Sequence, residues 1–142
     1  MKYLSTGHAV YSLKYHMVII TKYRRKVLSQ EKIEYIKEVI SSILKKNNGE
    51  LLEINGEEDH IHILFEISPV VVLTKLICSI KTISSRMLRK EYKMESLRSK
   101  KGTLWSSSYF IATCGEVRLE ILKGYIEKQG NKVREPRNKK VV

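Results

Sequence analysis

An α+β domain, with a four-stranded antiparallel sheet, two helices on one of its faces and a further helix near the C-terminus, is predicted by three features of the sequence. Apolar residues recur at helical spacing in two long segments, at Ile33, Ile36, Ile40, Ile43 and Leu44, and at Leu73, Leu76, Ile77, Ile80, Ile83 and Met87. Runs rich in β-branched and aromatic residues, "YHMVII", "ELLEIN", "HIHILFEI" and "YFIAT", stand before, between and after them. The resulting order, β-α-β-β-α-β, is that of the split-βαβ or ferredoxin-like plan, also used by RRM-like domains. Many proteins share this plan, so it does not fix function.

Each element has its own justification. The first strand runs from about Leu13 to Thr21, and the charged "KYRRK" connects it to the first helix. In "SQEKIEYIKEVISSILKKNNG" Ser29 is placed to cap the helix start. Lys45 and Lys46 suit its negative C-terminal end, and Gly49 after "NN" reads as a stop. "ELLEIN" and "HIHILFEI" form two strands joined by "GEED", a hairpin-like turn. Pro69 opens the second helix, from about Val71 to Lys90, with Lys75, Lys81, Ser85, Arg86 and Arg89 opposite its apolar stripe. "LRSKKGT" is a loop, and the fourth strand lies around Tyr109 to Thr113. A last helix runs from about Val117 to Gln129, and the basic tail "NKVREPRNKKVV" follows over 131–142. Repeats, low-complexity segments and linkers are absent, so residues 1–142 form one domain.

Composition narrows the class. With 42% apolar and 30% charged residues in 142, the chain reads as an ordinary soluble protein. No apolar run approaches the roughly 20 residues of a membrane span, and "MKYLSTGHAV" lacks a signal-peptide pattern. A cytoplasmic, nucleoid-associated protein with no membrane partner is expected, with Cys78 and Cys114 as reduced, buried thiols. Lys plus Arg total 27 against 15 Asp plus Glu, a net charge of +12. Such an excess points to a polyanionic partner, nucleic acid foremost.

The third strand carries the chemistry. In "DHIHILFE" side chains alternate, so His60, His62, Leu64 and Glu66 point one way and Ile61, Ile63, Phe65 and Ile67 the other. The all-apolar set belongs under the helices, which puts both histidines on the open face. Positions two apart on a strand are roughly 6.6 Å apart, close enough for two imidazoles to share one metal ion. Two ligands leave the site incomplete. On the last helix Tyr125 and Gln129 are four apart and share a face; Gln129 offers a carbonyl oxygen to a hard cation and Tyr125 a phenol that can attack phosphorus. Gly124 costs a helix about 1 kcal/mol relative to alanine, which suggests close approach or mobility beside Tyr125. Taken singly, the same residues read as two solvated histidines and an interface tyrosine.

Together these pieces resemble the single-tyrosine HUH transposases of the insertion-sequence 200/605 type. HUH denotes histidine, a bulky apolar residue and histidine, here His60-Ile61-His62. The resemblance also covers "YHMVIITKYRRKVL", "DHIHILFEISP", "KTISSRMLR", "LWSSSYFIATCG" and "YIEKQG", in the family's order over about residues 7–134. It implies an enzyme that cuts and rejoins single-stranded DNA with hairpin ends. Tyr125 would be the nucleophile, forming a 5′-phosphotyrosine, and His60, His62 and Gln129 the ligands of a divalent metal ion. Coordination chemistry alone points to Zn²⁺ or Mn²⁺ for two imidazoles; Mg²⁺ as the alternative to Mn²⁺ comes from the resemblance. A homodimer in which the tyrosine helix of one subunit completes the site of the other is implied in the same way. The "SSS" between Trp105 and Tyr109 departs from relatives, which often carry glycine or arginine there.

The basic groups suit that partner. Lys22, Arg24, Arg25 and Lys26 surround Tyr23, a mixture suited to phosphate contact and base stacking. Lys81, Arg86 and Arg89 on the second helix are placed to grip a hairpin stem, and Ser84 and Ser85 to donate to phosphates. Trp105 reads as a core residue. The alternatives are a host-serving relative that processes palindromes, a plasmid-type relaxase, and a non-enzymatic single-strand-binding module. A module of the last kind stacks bases on aromatics of the open sheet face, where this strand presents histidines.

Overall fold

The computed structural model describes residues 4–5, 10–94, 104–113 and 125–127. Two short antiparallel strands come first, β1 (Leu4–Ser5) and β2 (Val10–Tyr11), which are too short to show a readable alternation. Then follow β3 (Lys14–Ile20), α1 (Gln30–Lys46), β4 (Gly49–Glu57), β5 (His60–Ile67), α2 (Leu73–Tyr92) and β6 (Phe110–Thr113). The last four strands form one sheet in the order β4-β5-β3-β6, every neighbour antiparallel. This is the expected α+β architecture. Of the expected last helix, only 125–127 are described, and they are helical; the tail lies outside the described residues.

Helix α1 forms where the apolar spacing places it. The Ser29 hydroxyl accepts the Lys32 N–H at 3.2 Å, one of the donors left unpaired by a helix start. Ile33, Ile36, Ile40, Ile43 and Leu44 are buried. The chain leaves α1 through Asn48, whose φ is 58°. Gly49 is therefore not the stop but the first residue of β4, and it is needed there: a Cβ would sit 2.9 Å from the Glu66 carbonyl oxygen. Helix α2 buries Leu76, Ile77, Ile80, Ser84, Ser85 and Leu88. Its buried face turns away from the expected stripe near the C-terminal end, where Leu88 is fully buried and Met87 is 39% exposed. The cause is the segment 104–106. It is stitched to the end of β3 by Lys22 N–H to Leu104 O and Ser106 N–H to Ile20 O, and it lies against Ser84 and Ser85. Trp105 is a core residue, as expected. Cys78 is exposed, contrary to expectation, and Cys114 lies outside the described residues.

The helical layer covers Met17, Ile19, Ile61, Ile63 and Phe65, all fully buried, with Ile36, Ile40 and Leu44 of α1 and Leu76, Ile77 and Ile80 of α2 in the same core. The register sets the other face. His60 stands opposite Ile20 and Glu57, His62 opposite Val18 and Asn55, and Val18 in turn opposite Phe110. This face is not bare, since Val18 and Ile20 are buried as well. The β4–β5 hairpin is tighter than the sequence suggests. The strands run to Glu57 and from His60, leaving only Glu58 and Asp59 in the turn, so Gly56 is a strand residue. A Cβ on Gly56 would meet the His60 carbonyl oxygen at 2.5 Å. A bulge between Leu51 and Glu53 leaves Leu52 as the extra residue.

Candidate functional site

The site begins with the residue that precedes the histidines. Asp59 is buried, and its backbone oxygen accepts two bonds from Thr21 at the end of β3, from N–H at 2.9 Å and from Oγ1 at 3.1 Å. Its carboxylate has two partners, His60 Nδ1 at 2.8 Å on Oδ1 and Arg24 Nε at 2.8 Å on Oδ2. Burial pushes the Asp59 carboxyl up, but the hydrogen bonds from His60 and Arg24 and the charges behind them outweigh it and hold the group below its ordinary value. An ionised carboxylate only accepts, so His60 Nδ1 is the donor, and Nε2 is the ring nitrogen left to act as a ligand. His62 is half-buried. Burial lowers its pKa first, then the charge of His60; Glu53 pulls it up and His16 adds a last, smaller lowering. The neutral ring that results is the form that binds a cation.

Tyr125 lies over the same face of the sheet. Its ring packs on Phe110, centroids 5.4 Å apart and tilted by 46°. Phe110 and His62 flank Val18 in one row that runs on to Asn55 of β4, so the phenol sits at the β6 end of that row. The Tyr125 hydroxyl is buried and in no well-formed hydrogen bond. Burial raises its pKa, with Ser108 beside it pulling the other way. Gln129, the predicted third ligand, lies outside the described residues, as do Gly115 and Gly124. Among the described residues no group of three His, Cys, Asp or Glu side chains is placed to hold a metal ion. The histidine pair nevertheless fits one as a partial donor set, with one ring oriented through Nδ1 and the other kept neutral, and leaves a third position to be filled.

The predicted DNA contacts divide. The turn 22–25 presents Tyr23 at 77% exposure, with Lys22 Nζ 5.4 Å and Arg25 Cζ 5.3 Å from the ring centroid. Lys26 is exposed beside it. Tyr23 and Arg24 both take left-handed backbone, φ 62° and 50°, which costs a residue with a Cβ about 1–2 kcal/mol each. This geometry turns Arg24 inward onto Asp59, away from the role of a free phosphate contact.

On α2 most of the predicted contacts have partners within the chain. Ser84 and Ser85 are buried; the Ser84 hydroxyl accepts Trp105 Nε1–H at 2.9 Å and Ser85 Oγ accepts the Leu104 N–H at 3.0 Å. Both serve the fold, because hydroxyls on the apolar side of a helix are spent on the segment packed there. Lys81 donates to the Ser107 carbonyl at 3.1 Å and lies over the Tyr109 ring, and burial lowers its pKa. Arg89 Nε bonds back to Ser85. Arg86 alone of that predicted set is exposed and without a described partner. Helix α2 also packs on the face of the sheet opposite the histidines. Asp59 and Phe110 were missed as site residues, although an acid directly before the histidine pair and the strand register would have found them.

The family described as "Transposase IS200 like" matches residues 9–129. The chain belongs to this family. Among IS200-like transposases it is similar to the ISDra2 transposase TnpA of Deinococcus radiodurans, 30% identical over 123 residues, 87% of this chain and 88% of that one. It is also similar to the transposase for insertion sequence element IS200 of Salmonella typhimurium, 29% identical over 125 residues, 88% of this chain and 82% of the relative. A crystal structure assigned to a transposase of Deinococcus radiodurans R1 superposes with a TM-score of 0.78 at 30% identity, covering 91% of this chain and 98% of that one. A REP-associated tyrosine transposase, solved bound to a REP hairpin, shares the fold alone, at TM-score 0.51 and 8% identity over 89% of this chain and 69% of that one. The IS200-like transposase fold thus carries His60, His62 and Tyr125 on a single face of its sheet.

Proposed function

We propose that this transposase cuts and rejoins single-stranded DNA at insertion-sequence ends through a covalent 5′-phosphotyrosine. The observation that carries the proposal is the convergence of His60, His62 and the Tyr125 phenol on one sheet face, in a chain of net charge +12. The Tyr125 oxygen attacks the scissile phosphorus, forming an O–P bond while the P–O3′ bond breaks. The phenolic proton is lost and the departing 3′ oxygen gains one. A second 3′-OH then attacks the same phosphorus and releases the tyrosine, so the phosphodiester is conserved and no nucleotide triphosphate is consumed. His60 and His62, with Gln129, would hold a divalent cation, Mg²⁺ or Mn²⁺, which when bound polarises the phosphate. The chain's own residues orient one imidazole, favour the neutral form of the other and hold the phenol against Phe110 until substrate arrives. Tyr23 between Lys22 and Arg25 is built to stack a base and meet phosphates. Hairpin-ended single-stranded DNA is the proposed partner and a homodimer the proposed working form.

Labelled single-stranded ends incubated with Mg²⁺ or Mn²⁺ should give a protein–DNA adduct that survives denaturing electrophoresis. Tyr125→Phe should form none while binding the hairpin as before. An adduct on the phenylalanine protein would overturn the assignment of the nucleophile.

A further inference from the structure

We infer that Asp59, pinned by Arg24, is the positioning residue that sets which nitrogen of His60 faces the cation. The inference rests on the proposed metal site and assigns a role to two residues outside its ligand set. Asp59 offers two acceptor oxygens to two donors, His60 Nδ1–H and Arg24 Nε–H, both at 2.8 Å. The first bond fixes the tautomer of His60 and directs its Nε2 lone pair outward. A carboxylate on the far nitrogen of an imidazole also makes the near nitrogen a better ligand. The second bond stops the carboxylate from rotating away. The Asp59 main chain is held as well, by Thr21, so the side chain cannot follow a moving hairpin.

A purely structural purpose does not account for this arrangement. The Arg24 side chain is 32% exposed against 9% for Asp59, and solvent on the arginine side weakens what the pair adds to stability. The pair is nevertheless reached through two consecutive left-handed residues, neither of them glycine or asparagine. Strain retained around a polar link beside a functional group marks a functional constraint. A two-residue hairpin turn needs no aspartate bridged to an arginine to close.

Asn in place of Asp59 tests the idea at constant shape. An amide has one acceptor oxygen where two are needed, so either His60 or Arg24 must meet an N–H. The first readout is the imidazole nitrogen–proton spectrum of ¹⁵N-labelled protein in chelator, at about pH 8, above the ordinary histidine range. His60 signals are assigned by their loss in His60→Gln. The wild type should show the Nδ1–H tautomer at His60, and Asp59→Asn should shift it toward Nε2–H. The second readout is calorimetric titration with Mn²⁺, where Asp59→Asn should bind about 10–100-fold more weakly. Arg24→Gln should lose affinity less than Asp59→Asn, since the carboxylate stays but is free to turn; it also serves as the test if Asp59→Asn does not fold. An unchanged tautomer in folded Asp59→Asn, or wild-type Mn²⁺ affinity in both variants, overturns the inference. A wild type that binds no Mn²⁺ but shows the Nδ1–H tautomer overturns the proposed metal site and leaves the positioning of His60 by Asp59 supported.

Discussion

Replacing Ser84 by alanine separates the two roles a helix hydroxyl can have in this protein. The Ser84 Oγ accepts the indole N–H of Trp105 at 2.9 Å, in surroundings where Ser84 is 1% and Trp105 4% exposed. Alanine removes the acceptor and leaves the indole donor with no route to water. A buried donor left unsatisfied costs about 1–3 kcal/mol, and the lost hydroxyl oxygen adds little cavity. At this chain length each kcal/mol moves the melting temperature by roughly 3–4 °C, so a fall of about 3–12 °C is expected. Trp105 is the only tryptophan, and urea denaturation followed by its fluorescence reads the perturbed bond and the global stability together. The midpoint should drop with the slope unchanged. Affinity for a hairpin single strand, measured well below the new midpoint, should stay at the wild-type value. Wild-type stability combined with weakened DNA binding would refute the reasoning and return Ser84 to the surface as a phosphate donor.

Three further outcomes are expected. Gly56→Ala should destabilise by about 1–3 kcal/mol, because the new Cβ meets the His60 carbonyl oxygen at 2.5 Å and one strand must move; chemical denaturation checks it. His62 has its folded pKa below the ordinary 6.5, so the fold favours the neutral ring, and the associated stability is present above about pH 6.5 and lost as pH falls through the lowered value. The urea midpoint of the wild type should fall relative to that of His62→Gln as pH falls through that window. Mixing inactive Tyr125→Phe and His60→Ala proteins should restore cleavage if the tyrosine helix is exchanged between subunits; no recovery after verified subunit mixing would place the whole site within one chain.

Much of the fold was readable because period and burial agree. Ile33, Ile36 and Ile40 repeat as a helix repeats, and Ile61, Ile63 and Phe65 alternate as a strand alternates, so both elements fall where the pattern puts them. The sequence misleads where one residue type serves two purposes. Gly49 and Gly56 read as a stop and a turn, but both are strand glycines required by the close approach of β4 to β5. Ser84 and Ser85 read as polar surface because a buried serine differs from an exposed one only by its tertiary partner. In the site, the histidine pair is legible from spacing alone. The links of Asp59 to Arg24 and of Tyr125 to Phe110 are not, since they join residues 35 and 15 apart in the chain and depend on the fold being complete.

The edge strand β4 gives the molecule a sense of direction. In a chain with an excess of positive charge, this strand carries Glu50, Glu53 and Glu57 and no Lys or Arg, and Glu57 stands directly beside His60. The end of β3 leads instead into Lys22, Arg25 and Lys26. The sign of charge therefore changes across the histidine pair, from the β4 side to the turn that follows β3. A flexible polyanion is repelled along one flank and held along the other. It does not meet a uniformly attractive surface on which any orientation would serve. On the proposed function, Glu57 beside His60 and the basic turn beyond Ile20 would together give a threaded backbone one favoured lane past the imidazoles.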